Sequence, residues 1–448
     1  MNEKPLSRQH SSDLLLYVLL FLLVSFPLIY SFSIDKHLSA DGAHYFTEIL
    51  DQSDFTYIAW SRQFSNYLTQ WPIVLAVKLG LKDIPLLSGF YAVGLYFPYI
   101  ASYLLCIYAV RRENSFLLVF PLVSILGINL SADYILIGEH HVMTLLSWPI
   151  LLLLLRKEPL NWLDGWLLWM LLIFFSLSYE AAVIPAIIFS AILGLKLYKR
   201  RRIRKQIIID GIALLLSFAV FAVALYVIVN PRSESNKSNF ISATLGILGN
   251  KGALVAASFA FFSTLGLLCG QKPIILASLL PITLYGYVLL SNSHGPSASE
   301  SFNSRTLSLS LLPFLLICAI VSHYCNIKPN RASTRMLVLF VMIMVIGNLR
   351  FSGDWKNFRN QVTEIVTVEG GYIPIEETAI QDSPYRWSWN NSQLGIVLSY
   401  PCVKAVLLND PETKWQPFNP REELILKRYV SYDTFFSRVD NDIAVCEQ

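Results

Sequence analysis

The chain has 448 residues, of which 54% are hydrophobic and only 15% charged, and its mean hydropathy is +0.50. About a quarter of the residues of a soluble domain are charged, so this composition excludes a soluble globular protein and indicates a polytopic membrane protein. The net charge of +4 is small. The sequence predicts no nucleic-acid partner, because membrane topology explains the main basic run, 196–205.

Apolar windows of the length that a bilayer requires predict about eleven transmembrane helices. In chain order they cover about 14–32, 85–109, 115–131, 135–155, 161–178, 181–198, 207–229, 252–270, 273–291, 306–325 and 335–349. The first is too long for a secretory signal and lacks its small-residue cleavage site, so we expect it to be retained. The predicted fold class is an all-α polytopic membrane protein that carries a small C-terminal extracytoplasmic α/β domain.

Lys and Arg residues in alternate loops predict the orientation of the chain. With a cytoplasmic N-terminus, 17 of them fall in cytoplasmic segments and 8 in the opposite loops. Cytoplasmic loops of membrane proteins are enriched in these residues. The sequence therefore predicts an integral membrane protein whose N-terminus is cytoplasmic. We expect the membrane to be a bacterial inner membrane.

Two regions then lie on the extracytoplasmic side, the loop 33–84 and the tail 350–448. The chain is predicted to have a membrane domain (1–349), which includes the loop, and a soluble domain (350–448). Within the loop, 67–82 is predicted to be an amphipathic helix lying in the interface, with a short twelfth span as the alternative. The tail stretches GGYIPIE, LGIVLSY and AVLLND suggest a mixed α/β fold. Cys402 and Cys446 are predicted to form a disulfide in this oxidising compartment, with two free thiols as the alternative.

Ionisable and aromatic residues collect where the predicted spans reach the outer face. Ionisable groups at membrane depth are costly and usually mark a function. Because these residues share one depth and one side, the sequence predicts a site at the outer membrane boundary. The candidates are Asp41, His44, Arg62, Glu139, His140, Tyr179, Glu180, Arg305 and Arg350.

Each candidate also has a structural interpretation. Asp41 precedes a predicted helix and could only be its N-cap. The histidines of GEHH (138–141) could be buried and satisfied by backbone, and Glu180 could be a surface turn residue. Arg305 could be an interfacial anchor. The set Asp41, His44, Glu139 and His140 could hold a divalent metal ion, since these are suitable ligands.

No soluble-enzyme signature is present, neither a phosphate-binding glycine loop nor a nucleophile elbow. The layout, with many spans, a long first outer loop and an outer domain after the last span, resembles the GT-C superfamily of integral membrane glycosyltransferases. Asp41 followed by Tyr45 in SADGAHYFTEIL matches the acidic and aromatic residues with which the first outer loop of that superfamily typically begins.

The resemblance implies transfer of a sugar, with inversion, from a lipid-phosphate carrier such as polyprenyl phosphate to an extracytoplasmic glycan or glycolipid. It implies Asp41 as the general base and Arg305 at the phosphate, with Arg350 or Arg62 as the next choices. Glu139, His140 and Glu180 would orient the acceptor or bind a cation, and His44 and Tyr179 would contact substrate. The alternatives are an envelope polysaccharide polymerase or ligase, and a lipid or sugar transporter or flippase.

Overall fold

A computed structural model gives the fold of this chain. It describes residues 8–39, 41–56, 60–111, 113–130, 139–200, 204–230, 312–326, 331–368, 371–383, 385–386, 390–408 and 431–432. These residues are mostly helical, as the sequence predicts.

The helices are α1 (Arg8–Ser33), α2 (Gly42–Gln52), α3 (Gln63–Lys78), α4 (Ile84–Val110), α5 (Val119–Ser124), α6 (Glu139–Leu155), α7 (Trp162–Ser176), α8 (Val183–Arg200), α9 (Arg204–Val229), α10 (Leu312–Tyr324), α11 (Arg331–Val368) and α12 (Asn391–Leu398). Short 3₁₀ turns cover Lys36–Leu38, Trp60–Arg62, Ser115–Leu118, Glu180–Ala182 and Ile375–Glu377. The strands are β1 (Gly371–Pro374), β2 (Cys402–Val403), β3 (Ala405–Leu408) and β4 (Ser431–Tyr432).

Four helical stretches within the described residues are long and apolar enough to cross a membrane. They are Leu15–Ser33, Ile84–Val110, Glu180–Lys199 and Arg204–Val229. Shorter apolar helices occupy Ser115–Asn129, His140–Leu155, Trp162–Ser176 and Leu312–Tyr324. The membrane character of the chain is therefore confirmed at this level, while the count of eleven spans stays a prediction. The predicted spans 252–270 and 273–291 lie outside the described residues.

The predicted span 115–131 is not a uniform α-helix. A 3₁₀ turn, the short helix α5 and a π-helical turn (Ile125–Asn129) follow one another. The Leu130 N–H bonds to the Ile125 carbonyl at 2.8 Å, which is the i→i+5 pattern that a π turn requires. Such turns inside apolar helices are frequent at functional sites.

Two buried cores follow one another along α4. The first packs the C-terminal half of α4, including Tyr99 and Tyr103, against α1, α5, α6, α7, α8 and α9. The second packs the N-terminal half, including Leu87 and Tyr91, against α2, α3, the end of α11 and the C-terminal strands. Because α4 takes part in both cores, the described parts of the loop 33–84 and of the tail pack together next to the apolar bundle.

Close packing joins α3 to α4 at Gly94. A Cβ atom at Gly94 would lie 1.9 Å from the Thr69 carbonyl oxygen, so only glycine fits. The opposite face of α3 exposes Trp71, Leu75 and Leu79, which follow the i, i+4 spacing of a helix face. An exposed apolar face fits an interfacial helix and a short span equally, so the interfacial position stays a prediction. The helix α3 begins and ends four residues earlier than the predicted 67–82.

The C-terminal part contains two pairs of parallel strands. β1 pairs with β3 in the register Gly371↔Ala405 to Pro374↔Leu408, and β2 pairs with β4. Before them, α11 runs unbroken through the predicted domain boundary at 349/350. The division into two domains therefore stays a prediction, and a single helix crosses the position where it was placed.

The cysteines fit the division between apolar and polar regions. Cys106, Cys318 and Cys325 are free thiols, and Cys402 is disulfide-bonded. Cys446 lies outside the described residues, so its pairing with Cys402 stays a prediction.

Candidate active site at the junction of the two cores

An ion pair between Arg62 and Glu180 joins the first loop to the turn before α8. The Arg62 Nη2 lies 2.6 Å from Glu180 Oε1, and Nε lies 3.2 Å from Oε2. Both side chains are about one-sixth exposed, at 15% and 16%. Two parallel hydrogen bonds between guanidinium and carboxylate give this pair a fixed geometry. The backbone supports it, because the Phe64 N–H donates to the Leu177 carbonyl at 3.1 Å.

Aromatic and imidazole rings continue from this pair toward the inside of the bundle. The Arg62 guanidinium carbon lies 5.0 Å from the centre of the Tyr179 ring, within the range of a cation–π contact. Tyr179 lies 5.9 Å from the His140 ring, which lies 4.2 Å from the His141 ring. Both histidines are 2% exposed. The structure therefore brings the predicted residues Arg62, Tyr179, Glu180 and His140 together.

The inner end of this cluster contains residues that the sequence analysis missed. Tyr99 Oη and His141 Nδ1 are 2.9 Å apart in a hydrogen bond, and Asn129 Nδ2 donates to the His141 carbonyl at 3.3 Å. Among the described residues, His141 Nε2 and Asn129 Oδ1 are buried without a hydrogen-bond partner. The idea that backbone alone satisfies both histidines is therefore wrong for His141. Repeated tyrosines along α4 were the available sequence signal, since Tyr99 belongs to that series.

Asp41 lies directly before α2, but its side chain does not cap that helix. Its backbone is helical, with φ −77° and ψ −1°, and no capping bond to its side chain forms. Instead, the His44 N–H donates to Asn390 Oδ1 at 2.8 Å. The N-cap interpretation of the Asp41 carboxylate is therefore wrong. By contrast, Asp83 caps α4 in the usual way, accepting from the Leu86 N–H at 2.7 Å.

The segment that precedes Asp41 is fixed by the polar end of α11. Trp355 Nε1 donates to the Ile34 carbonyl at 3.1 Å, and Lys36 Nζ donates to Ser352 Oγ at 3.2 Å. Asp35 forms an ion pair of 2.6 Å with Arg359. Burial raises the pKa of Asp35, although Arg359 opposes this effect. Burial, with the nearby positive charge of Arg359, lowers the pKa of His37 to about 3.

The remaining candidates have different environments. His44 is partly exposed on α2, on the same face as Asp41, and its ring lies 5.8 Å from that of Tyr45. Arg350 is exposed on α11, two residues before Ser352. Glu139 begins α6, but its side chain, like the whole of Arg305, lies outside what the structure describes.

A metal site is not assembled by the described side chains. Among them, no three His, Cys, Asp or Glu residues lie close enough to hold a metal ion. The proposed ligand set of Asp41, His44, Glu139 and His140 includes one side chain outside the described residues. A divalent metal ion therefore stays a prediction.

Comparisons of the chain with protein-family models, curated proteins and solved structures found no match.

Proposed function

We propose that this protein is an inverting membrane glycosyltransferase that moves a sugar from a lipid-phosphate carrier to an extracytoplasmic glycan or glycolipid. The observation that supports it most is the state of Asp41. Its carboxylate stands at the start of α2, shortly after the first membrane-type helix, and forms no capping bond to α2, whose His44 N–H donates to Asn390. A carboxylate that directly follows a membrane-type helix is at a suitable position for a general base acting at the membrane boundary.

The proposed chemistry uses this carboxylate directly. Asp41 accepts the proton of the acceptor hydroxyl while the hydroxyl oxygen forms a bond to the anomeric carbon. The bond between that carbon and the carrier phosphate breaks, and the phosphate leaves with the bonding electrons, so the configuration inverts. An arginine stabilises the charge of the leaving phosphate, and Arg305 or Arg350 is proposed for this role.

The Arg62–Glu180 pair is better suited to the acceptor than to the phosphate. Glu180 neutralises the charge of Arg62 through two hydrogen bonds. A neutral pair of strong donors and acceptors favours the hydroxyl groups of a sugar over an anion. Tyr179 and His140 add an aromatic face and a polar ring nitrogen beside it.

The location of these groups supports an enzyme that acts at a membrane surface. Tyr179 belongs to the core of the apolar bundle, while Arg62 immediately precedes α3, whose Ile73 and Val74 belong to the second core. A lipid-linked donor presents its tail to the bilayer and its phosphate to the boundary, so one substrate spans both environments. The proposal includes the eleven spans, a cytoplasmic N-terminus and a bacterial inner membrane.

The experiment compares the surface glycans of cells that lack the protein with those of cells that regain it. We expect the wild type to restore one missing sugar and Asp41→Asn not to restore it, at equal amounts of membrane-inserted protein. Asp83→Asn is the matched control, because Asp83 caps α4 and asparagine also caps helices. Restoration of the sugar by Asp41→Asn would remove Asp41 as the base. Uptake of a lipid-linked sugar into sealed vesicles without covalent change would indicate a transporter.

A further inference from the structure

We propose that Asn390 is a positioning residue for the active site and that the C-terminal segment completes this site by capping α2 in place of Asp41. This inference rests on the proposed function, in which Asp41 is the base. It assigns a role to a residue 349 positions away in the sequence.

The start of α2 is capped by a residue from outside the helix. An N-cap aspartate usually has extended backbone angles, and its side chain accepts from the second or third N–H of the helix. The backbone of Asp41 is helical, and its carboxylate makes no such bond. In a helix that begins at Gly42, the third N–H belongs to His44, and this N–H donates to Asn390 Oδ1 at 2.8 Å. Asn390 therefore performs from outside the function that the local sequence assigns to Asp41.

The side-chain amide of Asn390 is fixed by hydrogen bonds at both its oxygen and its nitrogen. While Oδ1 accepts from His44, Nδ2 donates to the Leu38 carbonyl at 3.1 Å. Leu38 and His44 lie on either side of Asp41 in the chain. Asn390 is only 2% exposed, so water cannot readily replace these bonds, and losing them leaves buried polar groups unsatisfied.

Residues from the later part of the chain also hold the segment before Leu38. Three residues from the polar end of α11, after position 350, bond to Ile34, Asp35 and Lys36. Those residues are Ser352, Trp355 and Arg359. Thus α11 and Asn390 together fix the segment 34–44 that carries Asp41.

These hydrogen bonds of Asn390 set the position of Asp41 relative to the acceptor. A general base must lie within hydrogen-bond distance of the proton that it accepts, and misplacement by 1 Å can cost about 100-fold in rate. Loss of Asn390 removes the two hydrogen bonds that flank Asp41 in the chain and would let α2 turn or shift relative to the bound acceptor.

The test uses full-length Asn390→Ala and Asn390→Asp in detergent and in cells. Hydrogen–deuterium exchange of peptides covering 38–45 reports the cap, and restoration of the glycan reports transfer. For Asn390→Ala we expect exchange at the start of α2 at least tenfold faster and transfer at least tenfold lower. Asn390→Asp keeps the oxygen that accepts from His44, so we expect it to retain protection of that amide and to recover part of the transfer.

The control is Asp83→Ala, which removes a true cap from α4. It should lower the melting temperature about as much as Asn390→Ala while leaving transfer unchanged. Three results would overturn the positioning role: unchanged exchange in Asn390→Ala, faster exchange with undiminished transfer, or equal loss of transfer in Asp83→Ala. Normal transfer by Asp41→Asn is a different result, because it overturns the base itself whatever the exchange data show.

Discussion

Burial decides the charge of His37 at the residue scale. Its ring is 1% exposed, and its Nε2 lies 2.6 Å from Ser88 Oγ in a hydrogen bond. Because the pKa falls to about 3, the ring is neutral near pH 7. A neutral histidine at this position links the segment before Asp41 to the first turns of α4.

This neutral ring predicts a stability that falls with acid. In the unfolded chain the pKa of His37 returns to the ordinary value of 6.5, so between about pH 6.5 and pH 3 the unfolded state binds more protons than the folded state. Folding stability therefore rises with pH across this window and is lost as the pH falls through it. Between pH 6.5 and 5 the loss is on the order of 2 kcal/mol, as an upper bound.

The measurement is thermal unfolding of the wild type and of His37→Gln at pH 5 and pH 7. We expect the wild type to lose more stability on acidification than His37→Gln, whose amide can still bond to Ser88 and does not titrate. The raised pKa of Asp35 acts in the opposite direction and is common to both proteins, so the difference between them isolates His37. Equal losses in the two proteins would contradict a buried neutral His37.

Sequence reasoning found several site residues and missed their partners for one physical reason. Asp41, His140 and Glu180 stand out because a polar side chain beside an apolar run is visible locally. Asn390 does not stand out, since an asparagine in a polar tail is ordinary until a contact 346 residues away in sequence gives it a role. Likewise Arg62 was a candidate for phosphate, and only the fold shows that Glu180 neutralises it.

At the element scale, the packing of α3 on α4 holds Arg62 in place. Arg62 immediately precedes α3, and α3 approaches α4 closely at Gly94. Hydropathy located this apolar stretch at 67–82, while its helix starts at Gln63. The same limit applies to α11, which continues past 349 because loss of hydropathy marks the end of the apolar environment and not the end of a helix.

The close approach predicts that Gly94→Ala is destabilising. The added methyl group would meet the Thr69 carbonyl, which is backbone and cannot rotate away. Overpacking of this kind typically costs about 1–3 kcal/mol, and here α3 would move outward with Arg62. We expect a lower melting temperature and reduced glycan restoration.

Gly89→Ala is the matched control in the same helix. A Cβ at Gly89 meets no atom within 4 Å, and alanine is the better helix former by roughly 1 kcal/mol. This variant should be at least as stable as the wild type. If Gly94→Ala were equally stable, α3 would not be seated on α4 as described.

At the scale of the whole molecule, the two ends of α4 lie far apart and contact different parts of the chain. Its 27 residues, Ile84–Val110, extend about 40 Å. Near its end, Arg156 donates to the carbonyls of Tyr108 and Ala109, both at 2.8 Å, and pairs with Asp164 at 2.8 Å. Before its start lies Lys82, beside the core that contains the segment before Asp41. Lys82 and Lys157 therefore lie at opposite ends of a membrane-type helix.

Because Lys82 and Lys157 lie at opposite ends of α4, labelling them tests which side of the membrane each end faces. The counts of Lys and Arg predict that Lys157 faces the cytoplasm and that Lys82 faces the outside, and both residues are exposed. Lys82→Cys and Lys157→Cys, each made in a background that carries Cys269→Ser and Cys325→Ser, are compared with that background alone; Cys106 and Cys318 are buried. A membrane-impermeant maleimide should label Lys82→Cys in intact cells and Lys157→Cys only after permeabilisation. The reverse pattern would place Asp41 and the Arg62–Glu180 pair on the cytoplasmic side, where a donor that presents its sugar outside could not reach them. Labelling of both positions in intact cells would show that α4 does not cross the membrane.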